Sequence, residues 1–514
     1  MSAKISLLVI FFIVTILVGF YFRKRNTSVD GFVLGGRSIG PWLSAFAYGT
    51  SYFSAVVFVG YAGQFGWKFG ISAVWIGLGN AFIGSLLAWV VLARRTRLMT
   101  RGLNSATMPD FFGARYGSNA LKVGASVITF IFLVPYTASL YNGLSRLFAM
   151  AFNVDFVYCI VAMSLLTAIY VIVGGYTATA VNDFIQGIIM IFGIMAVISA
   201  VLGANGGFTP SLAALALVED PSVSQSPGIF ASFFGPAPLD LLGVVLLTSV
   251  GTWGLPQMVQ KFYSIKSEKN INTGTVVSTI FATIISGGCY FLGGFGRLFS
   301  SGIDVKAGGY DSIIPAMLSG FSPWLIGVVV VLVFSASIST LSSLVMASAS
   351  TFTLDFLKGN VIKKMDEKLQ LFTIRFFLAV FIAISVFIAI VQYKGGITFI
   401  AQLMGVSWGA LAGAFLAPFL YGLYWKRATR AAVWCNFVFA TVLMLANVFF
   451  RSGFPQMLRS PINAGAFTML AGLVIVPVVS LLTPAPEREL TEKSFACYEE
   501  VVEVRTRESL GVSD

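Results

Sequence analysis

Histidine is absent from the 514 residues, which removes the commonest general base, proton shuttle and metal ligand. Charge is scarce as well: 11% of residues are Asp, Glu, Lys or Arg, where a soluble chain would carry about a quarter. A soluble enzyme of two or three domains is excluded on that ground. Only four cysteines occur, Cys159, Cys289, Cys435 and Cys497. They are scattered without a CxxC and spell neither a disulfide framework nor a zinc site. Acidic residues number 21 against 33 basic ones, a balance of +12. In a soluble protein that excess would suggest nucleic acid; here it has first to be tested against membrane topology. What the chain has in plenty is apolar, 57% of residues, with 48 Phe and 52 Gly.

A membrane-spanning helix needs about 20 mostly apolar residues. Such windows lie near 5–22, 41–66, 71–93, 121–150, 156–174, 183–203, 239–260, 272–296, 323–353, 370–393, 397–423, 430–450 and 463–483. The chain therefore reads as an all-α polytopic membrane protein of about 13 spans. The first window is too long for a signal-peptide core, lacks a small-residue cleavage site and runs into Arg23-Lys24-Arg25. It reads as an anchor with the N-terminus outside. Alternating from there, the loops with Arg94, Arg95, Arg97 and Arg101, with Lys261, Lys266 and Lys269, with Lys358, Lys363 and Lys364, and with Lys426, Arg427 and Arg430 all fall inside. Roughly 25 of the 33 basic residues lie on that side, and the long loop 204–238, which has none, lies outside. This is the positive-inside pattern of a multi-pass protein of the plasma membrane. It accounts for the basic balance without a nucleic-acid partner. The tail 484–514, with seven Glu and one Asp against four basic residues, reads as a cytoplasmic extension with one short helix, solvated and carrying no site on composition alone.

An ionisable residue inside a span is costly and marks function. This chain offers few: Asp183, Asp240 and Asp355 fall at or near the ends of apolar windows. A cation site would then have to be built from hydroxyls and freed backbone carbonyls, which suits a monovalent ion better than Ca²⁺. Two stretches supply such oxygens, Gly49-Thr50-Ser51-Tyr52-Phe53-Ser54 in span 2 and Ser335-Ala336-Ser337-Ile338-Ser339-Thr340-Leu341-Ser342-Ser343 in span 9. Close packing of small residues, with hydroxyls bonded back to their own helix, is an equally good account of each stretch alone. Span 7 adds Gly251-Thr252-Trp253-Gly254-Leu255-Pro256, where proline breaks the helix. Interrupted second and seventh spans would open two five-span units of opposite orientation, the inverted-repeat plan of secondary transporters.

At this point the chain resembles the sodium/solute symporter family, which includes proline, pantothenate, sugar and sialic-acid symporters. The resemblance rests on Phe32-Val-Leu-Gly-Gly-Arg37-Ser, Thr107-Met-Pro-Asp110-Phe-Phe-Gly-Ala-Arg115-Tyr, Gly174-Gly175 through Asn182-Asp183 to Gln186-Gly, Gly254-Leu-Pro256-Gln257 and Ser339-Thr340-Leu-Ser342, in order along nearly the whole chain. It implies a leucine-transporter-like 5+5 inverted repeat with one flanking helix before and two after. Residues 1–40 would then be the first flanking span and its loop, 41–203 the first repeat, 204–238 an extracellular loop, 239–423 the second repeat, 424–483 two flanking spans and 484–514 the tail. It also implies Na⁺ as co-transported ion. By position, Thr50, Phe53 and Ala336 match family residues that give backbone carbonyls to sodium, Ser339 and Thr340 match the hydroxyl ligands, and Asp183 matches an acid on the sodium path.

The implied activity is symport of a small organic solute by alternating access, with no enzymatic step. Tyr52 stands where proline-type members carry an acid, and pantothenate-type members are similar at Tyr52-Phe-Ser54-Ala, Asn182-Asp183, Gly254-Leu-Pro256 and Gly296-Arg297. The expected solute therefore bears a carboxylate, pantothenate- or monocarboxylate-like; a proline-type amino acid or a sugar is the alternative. Its expected contacts are Tyr52, Ser54, Tyr136, Thr248, Thr252, Trp253 and Gln257. Arg297 reads either as an attractor for that carboxylate or as a snorkelling interfacial residue. A channel would need a polar stripe or charged ring, which the spans lack. A sensor would need more than a 30-residue tail without kinase or receiver pattern.

Overall fold

The computed structural model describes residues 2–22, 28–224, 226–299, 309–394 and 400–499. Arg23-Lys24-Arg25, the start of the 397–423 window and residues 500–514 of the tail lie outside them. Among the described residues there are helices and three isolated β-bridges but no strand. That is the expected outcome for a chain whose backbone polar groups must be satisfied within each lipid-crossing segment. Proline opens the helices Pro41–Tyr52, Pro238–Val250, Pro256–Tyr263, Pro323–Thr351 and Pro461–Leu482, where its missing N–H costs nothing. Elsewhere hydroxyl caps do the same service: Ser118, Ser322 and Thr429 each accept a backbone N–H of the first turn.

Ten of the described helices are long and apolar enough to cross a membrane, or eleven with the bent pair Pro238–Gly254 and Pro256–Tyr263. The thirteen sequence windows exceed this because helical runs merge. Val56–Gly102 holds 47 residues and Phe156–Ala204 holds 49, each about 70 Å of helix, more than twice the hydrocarbon thickness. Each run takes in two windows, and each is broken by a glycine with positive φ, Gly70 (+63°) and Gly175 (+56°). The first half of the broken span, Pro41–Tyr52, has only 12 residues and is too short to count alone.

The helix Pro323–Leu357 lies at the centre, with 89% of its apolar window buried, whereas Ile5–Phe22 is 17% buried and peripheral. Around the central helix pack Phe156–Ala204, Asn119–Phe152 and Ser2–Phe22; Ile400–Tyr424, Arg430–Phe449 and Pro461–Leu482 form a second group against Asn119–Phe152.

Basic side chains on one face tie helix ends together. Arg97 donates to the carbonyls of Ile265 (3.0 Å) and Lys266 (2.9 Å), and Arg115 to those of Gly422 (2.9 Å) and Trp425 (3.1 Å). Terminal carbonyls carry partial negative charge, so cations belong there. The described part of the tail, up to residue 499, docks on this face and is not the solvated extension expected. Arg488–Phe495 is helical, and the Arg95 guanidinium lies between the rings of Tyr424 (4.1 Å) and Tyr498 (4.7 Å). Phe495 is buried beneath Arg115. Its apolar side chains give the reason: composition averaged over the tail hides Phe495 and Tyr498, which repay burial.

On the opposite face Arg297 fills neither expected role. It donates to the Trp67 carbonyl (2.6 Å) and to Asp220 (3.0 Å), and lies over the Phe230 ring (3.8 Å). Its charge is consumed in tying the helix Ala62–Phe69 to the segment that carries Asp220 and Phe230. Asp220 is held below the usual carboxylate range, chiefly by the Ser222 hydroxyl and also by Arg297.

Candidate functional site

Two helices break halfway along and meet. The first, Pro41–Tyr52, ends where Phe53 turns to extended backbone (φ −105°, ψ 105°). It resumes as a π-helical turn, Val56–Tyr61, whose first N–H is accepted by Ser54 Oγ at 3.2 Å. The second passes from Pro238–Val250 through a 3-10 turn, Gly251–Gly254, to extended backbone at Leu255 (φ −87°, ψ 122°), then restarts as Pro256–Tyr263. Pro256 drives this break, having no N–H and excluding the residue before it from the α region. Glycine does different work at the first break: a Cβ on Gly49 would lie 2.3 Å from the Phe281 ring. Close packing is therefore the right account of Gly49.

The broken ladder frees the Thr50 carbonyl. Ser339 Oγ and Thr340 Oγ1 each lie 3.1 Å from it, and they reach the Ala336 carbonyl at 3.1 and 3.0 Å. Two carbonyls and two hydroxyls thus converge between the first broken helix and the central helix, all on buried residues. The Thr50 hydroxyl takes no part; it donates to Phe46 at 2.8 Å. Phe53 and Ala336 line one narrow cavity beside the cluster. A hydroxyl has two acceptor lone pairs besides its donor, so rotation of both would turn four oxygens toward a cation. Of the other serines on that helix, Ser335 Oγ is buried without a hydrogen-bond partner, and Ser337 and Ser342 donate to their own helix.

A second cluster lies one turn along the same helix. Ser343 Oγ is 2.8 Å from Ser51 Oγ and accepts from Lys261 Nζ at 2.9 Å. Lys261 Nζ is in turn 3.8 Å from Asp183, and both side chains are buried. Here the sequence reading needs correction. Asp183 does not begin a helix; Phe156–Ala204 runs through it, about two turns past the break at Gly175. Asp355 and Asp311 are likewise fully buried, so the interior holds more carboxylate than the windows suggested.

Aromatic rings gather next to both breaks. Tyr52 donates to the Thr248 carbonyl (2.5 Å), joining the broken helices, and its ring stacks on Phe53 at 4.2 Å. Trp408 stands 6.1 Å from the Tyr52 ring and 5.9 Å from that of Tyr136. Gln257 opens the helix Pro256–Tyr263, is buried, and neither atom of its amide has a hydrogen-bond partner. The remaining expected contacts are engaged elsewhere: Thr248 bonds to Val244, Thr252 to Gly84 and Ser249, and the Trp253 indole to Ile83. Trp408 and Lys261 are not site candidates from sequence, and Ser51 and Ser343 are named there only as members of the hydroxyl-rich stretches. Trp408 had a signal, a lone tryptophan in the middle of an apolar window; Lys261 looked like one more loop cation.

The model of the "Sodium:solute symporter family" matches residues 32–438. A sodium/proline symporter of Staphylococcus aureus is 28% identical over 450 residues, 85% of this chain and 84% of that protein; the one of strain JH9 is 29% identical over 451 residues with the same coverage. Among solved structures, a Na⁺-coupled sialic acid symporter in a substrate-bound outward-open state superposes with a TM-score of 0.74 at 17% identity, covering 95% of this chain and 99% of that one. A nucleobase-cation-symport-1 family transporter in a closed conformation gives 0.50 at 12% identity, over 90% and 97%. The fold is therefore the leucine-transporter-like one, sodium is the co-transported ion and the protein is a transporter with no enzymatic step. With more than three-quarters of its length matched by one family model, the chain belongs to the sodium:solute symporter family.

Proposed function

We propose that this symporter imports a small carboxylate-bearing organic solute, with a proline-type amino acid as first candidate. Sodium binds at Thr50, Phe53, Ala336, Ser339 and Thr340, and the solute binds between Tyr52, Ser54, Tyr136, Trp408 and Gln257. The observation that carries this reading is the meeting of two broken helices around an unpartnered buried amide, that of Gln257. A buried donor and acceptor left without partners is costly and is suited to a polar ligand. The N-terminal end of Pro256–Tyr263 favours a carboxylate, and the Tyr52, Tyr136 and Trp408 rings favour an adjoining ammonium. The named relatives point the same way. One observation favours a pantothenate-type acid: Tyr52 replaces the acid of proline-type members, and its hydroxyl is already bonded to Thr248. Thr248, Thr252 and Trp253 shape the break around the solute rather than touch it.

The orientation places the face of Arg97, Arg115 and the docked tail in the cytoplasm and the N-terminus outside, on the positive-inside rule. The domain boundaries are those of the two repeats, 41–203 and 239–423, with 1–40 and 424–483 flanking them, 204–238 outside and 484–514 as cytoplasmic tail. Uptake of labelled proline and labelled pantothenate into proteoliposomes, with an inward gradient of Na⁺ or of K⁺, tests the reading. Saturable uptake of one of them under Na⁺ alone is expected. Equal uptake under K⁺, or competition only by sugars, would refute it.

A further inference from the structure

Asp183 is a fully buried carboxylate with no hydrogen bond to either oxygen, and such a charge is not tolerated without a partner. The partner is Lys261, whose ammonium stops 3.8 Å short of it and so leaves the pair without a direct hydrogen bond. The ammonium instead donates to Ser343 Oγ at 2.9 Å and sits 5.1 Å from the centre of the Tyr176 ring. Ser343 in turn donates to the Ser339 carbonyl (3.2 Å) and bonds to Ser51 (2.8 Å). The ammonium is thus held as a small ion is held: near a carboxylate, on a hydroxyl, against an aromatic face, in a setting where four helices meet. Ser51 directly follows Thr50, whose carbonyl belongs to the sodium cluster, and Ser339 supplies a hydroxyl to that cluster.

We propose that Lys261 is a tethered cation occupying what would otherwise be a second sodium site, built from Asp183, Ser343 and Ser51. The transport cycle therefore carries one sodium ion. Lys261 acts through Asp183 as a positioning residue, keeping the carboxylate neutralised when the mobile sodium leaves. A lysine suits this task because its flexible stem carries a compact, three-donor charge that cannot diffuse away.

The inference rests on the sodium cluster proposed above, and equilibrium binding of ²²Na⁺ to purified protein separates the two without any solute. The intact protein should bind one sodium, and Ser339→Ala should remove it. Lys261→Met should bind two, and Lys261→Met with Ser339→Ala should keep one. Lys261→Arg should stay at one, and Lys261→Met with Asp183→Asn should return to one, which also shows that the neutral side chain is tolerated by the fold. A Lys261→Met protein that still binds one sodium, or an intact protein that binds two, would overturn the tethered-cation assignment. Retention of sodium by Ser339→Ala in the otherwise intact protein would overturn the cluster instead.

Discussion

Two oxygen clusters sit one turn apart on the helix Pro323–Thr351, and they meet positive charge in opposite ways. At Ser339 and Thr340 every contributing oxygen is neutral. At Ser343 a carboxylate and an ammonium face each other in the interior. A cation that must bind and leave is best held by dipoles, because a bare carboxylate left behind would carry a large desolvation penalty. Where a carboxylate is kept, its counter-charge has to stay with it. The pairing of the clusters through Ser51 and Ser339 places the permanent charge next to the cluster proposed for sodium.

The largest effect should come from the neutral cluster. Ser339→Ala together with Thr340→Ala is expected to weaken sodium activation of uptake at least tenfold, since each oxygen facing a charge is worth about 1.5–3 kcal/mol; unchanged half-saturation by sodium would break the comparison. Next comes Asp183→Asn, which strands the Lys261 charge in the interior. Stability should fall by about 3–5 kcal/mol, and transport should slow more than solute binding weakens, as read by initial uptake rates beside binding in detergent. The smallest effect belongs to the pair Asp220–Arg297, in which a part-exposed carboxylate meets an arginine that keeps its Trp67 carbonyl and Phe230 ring contacts. Its carboxyl is depressed below the ordinary range, so its contribution is present above the unfolded value of about 3.9 and is lost as pH falls through the lower folded value. Asp220→Asn should therefore cost no more than about 1 kcal/mol near neutrality, with a melting temperature that converges on the parent's in strong acid.

Much of this molecule was legible along the chain. Thr50, Ala336, Ser339 and Thr340, named by position in a family, converge within 3.1 Å, and the breaks at Phe53 and Leu255 fall where hydroxyl- and proline-containing stretches interrupt apolar windows. The span count was less legible, because hydropathy sees gaps in apolarity whereas a helix can run on through them. The partners of single charges were not legible at all. Arg297 was expected near a solute or at a membrane interface and instead binds Asp220, 77 residues away. Lys261 and Asp183 looked like separate features near span ends.

What the sequence alone determined is the class: a helical, many-span membrane protein with its positive charge on one side. Those properties are sums over local composition and need no knowledge of who touches whom. What only the tertiary structure decided is which neutral oxygens share a centre, which lysine meets which carboxylate, and that Trp408 closes the aromatic group while Thr252 and Trp253 bond to residues 83–84. These depend on contacts between helices more than 75 residues apart. In lipid such contacts are specified by packing and polar pairing rather than by hydrophobicity, and so leave no periodic trace in the chain.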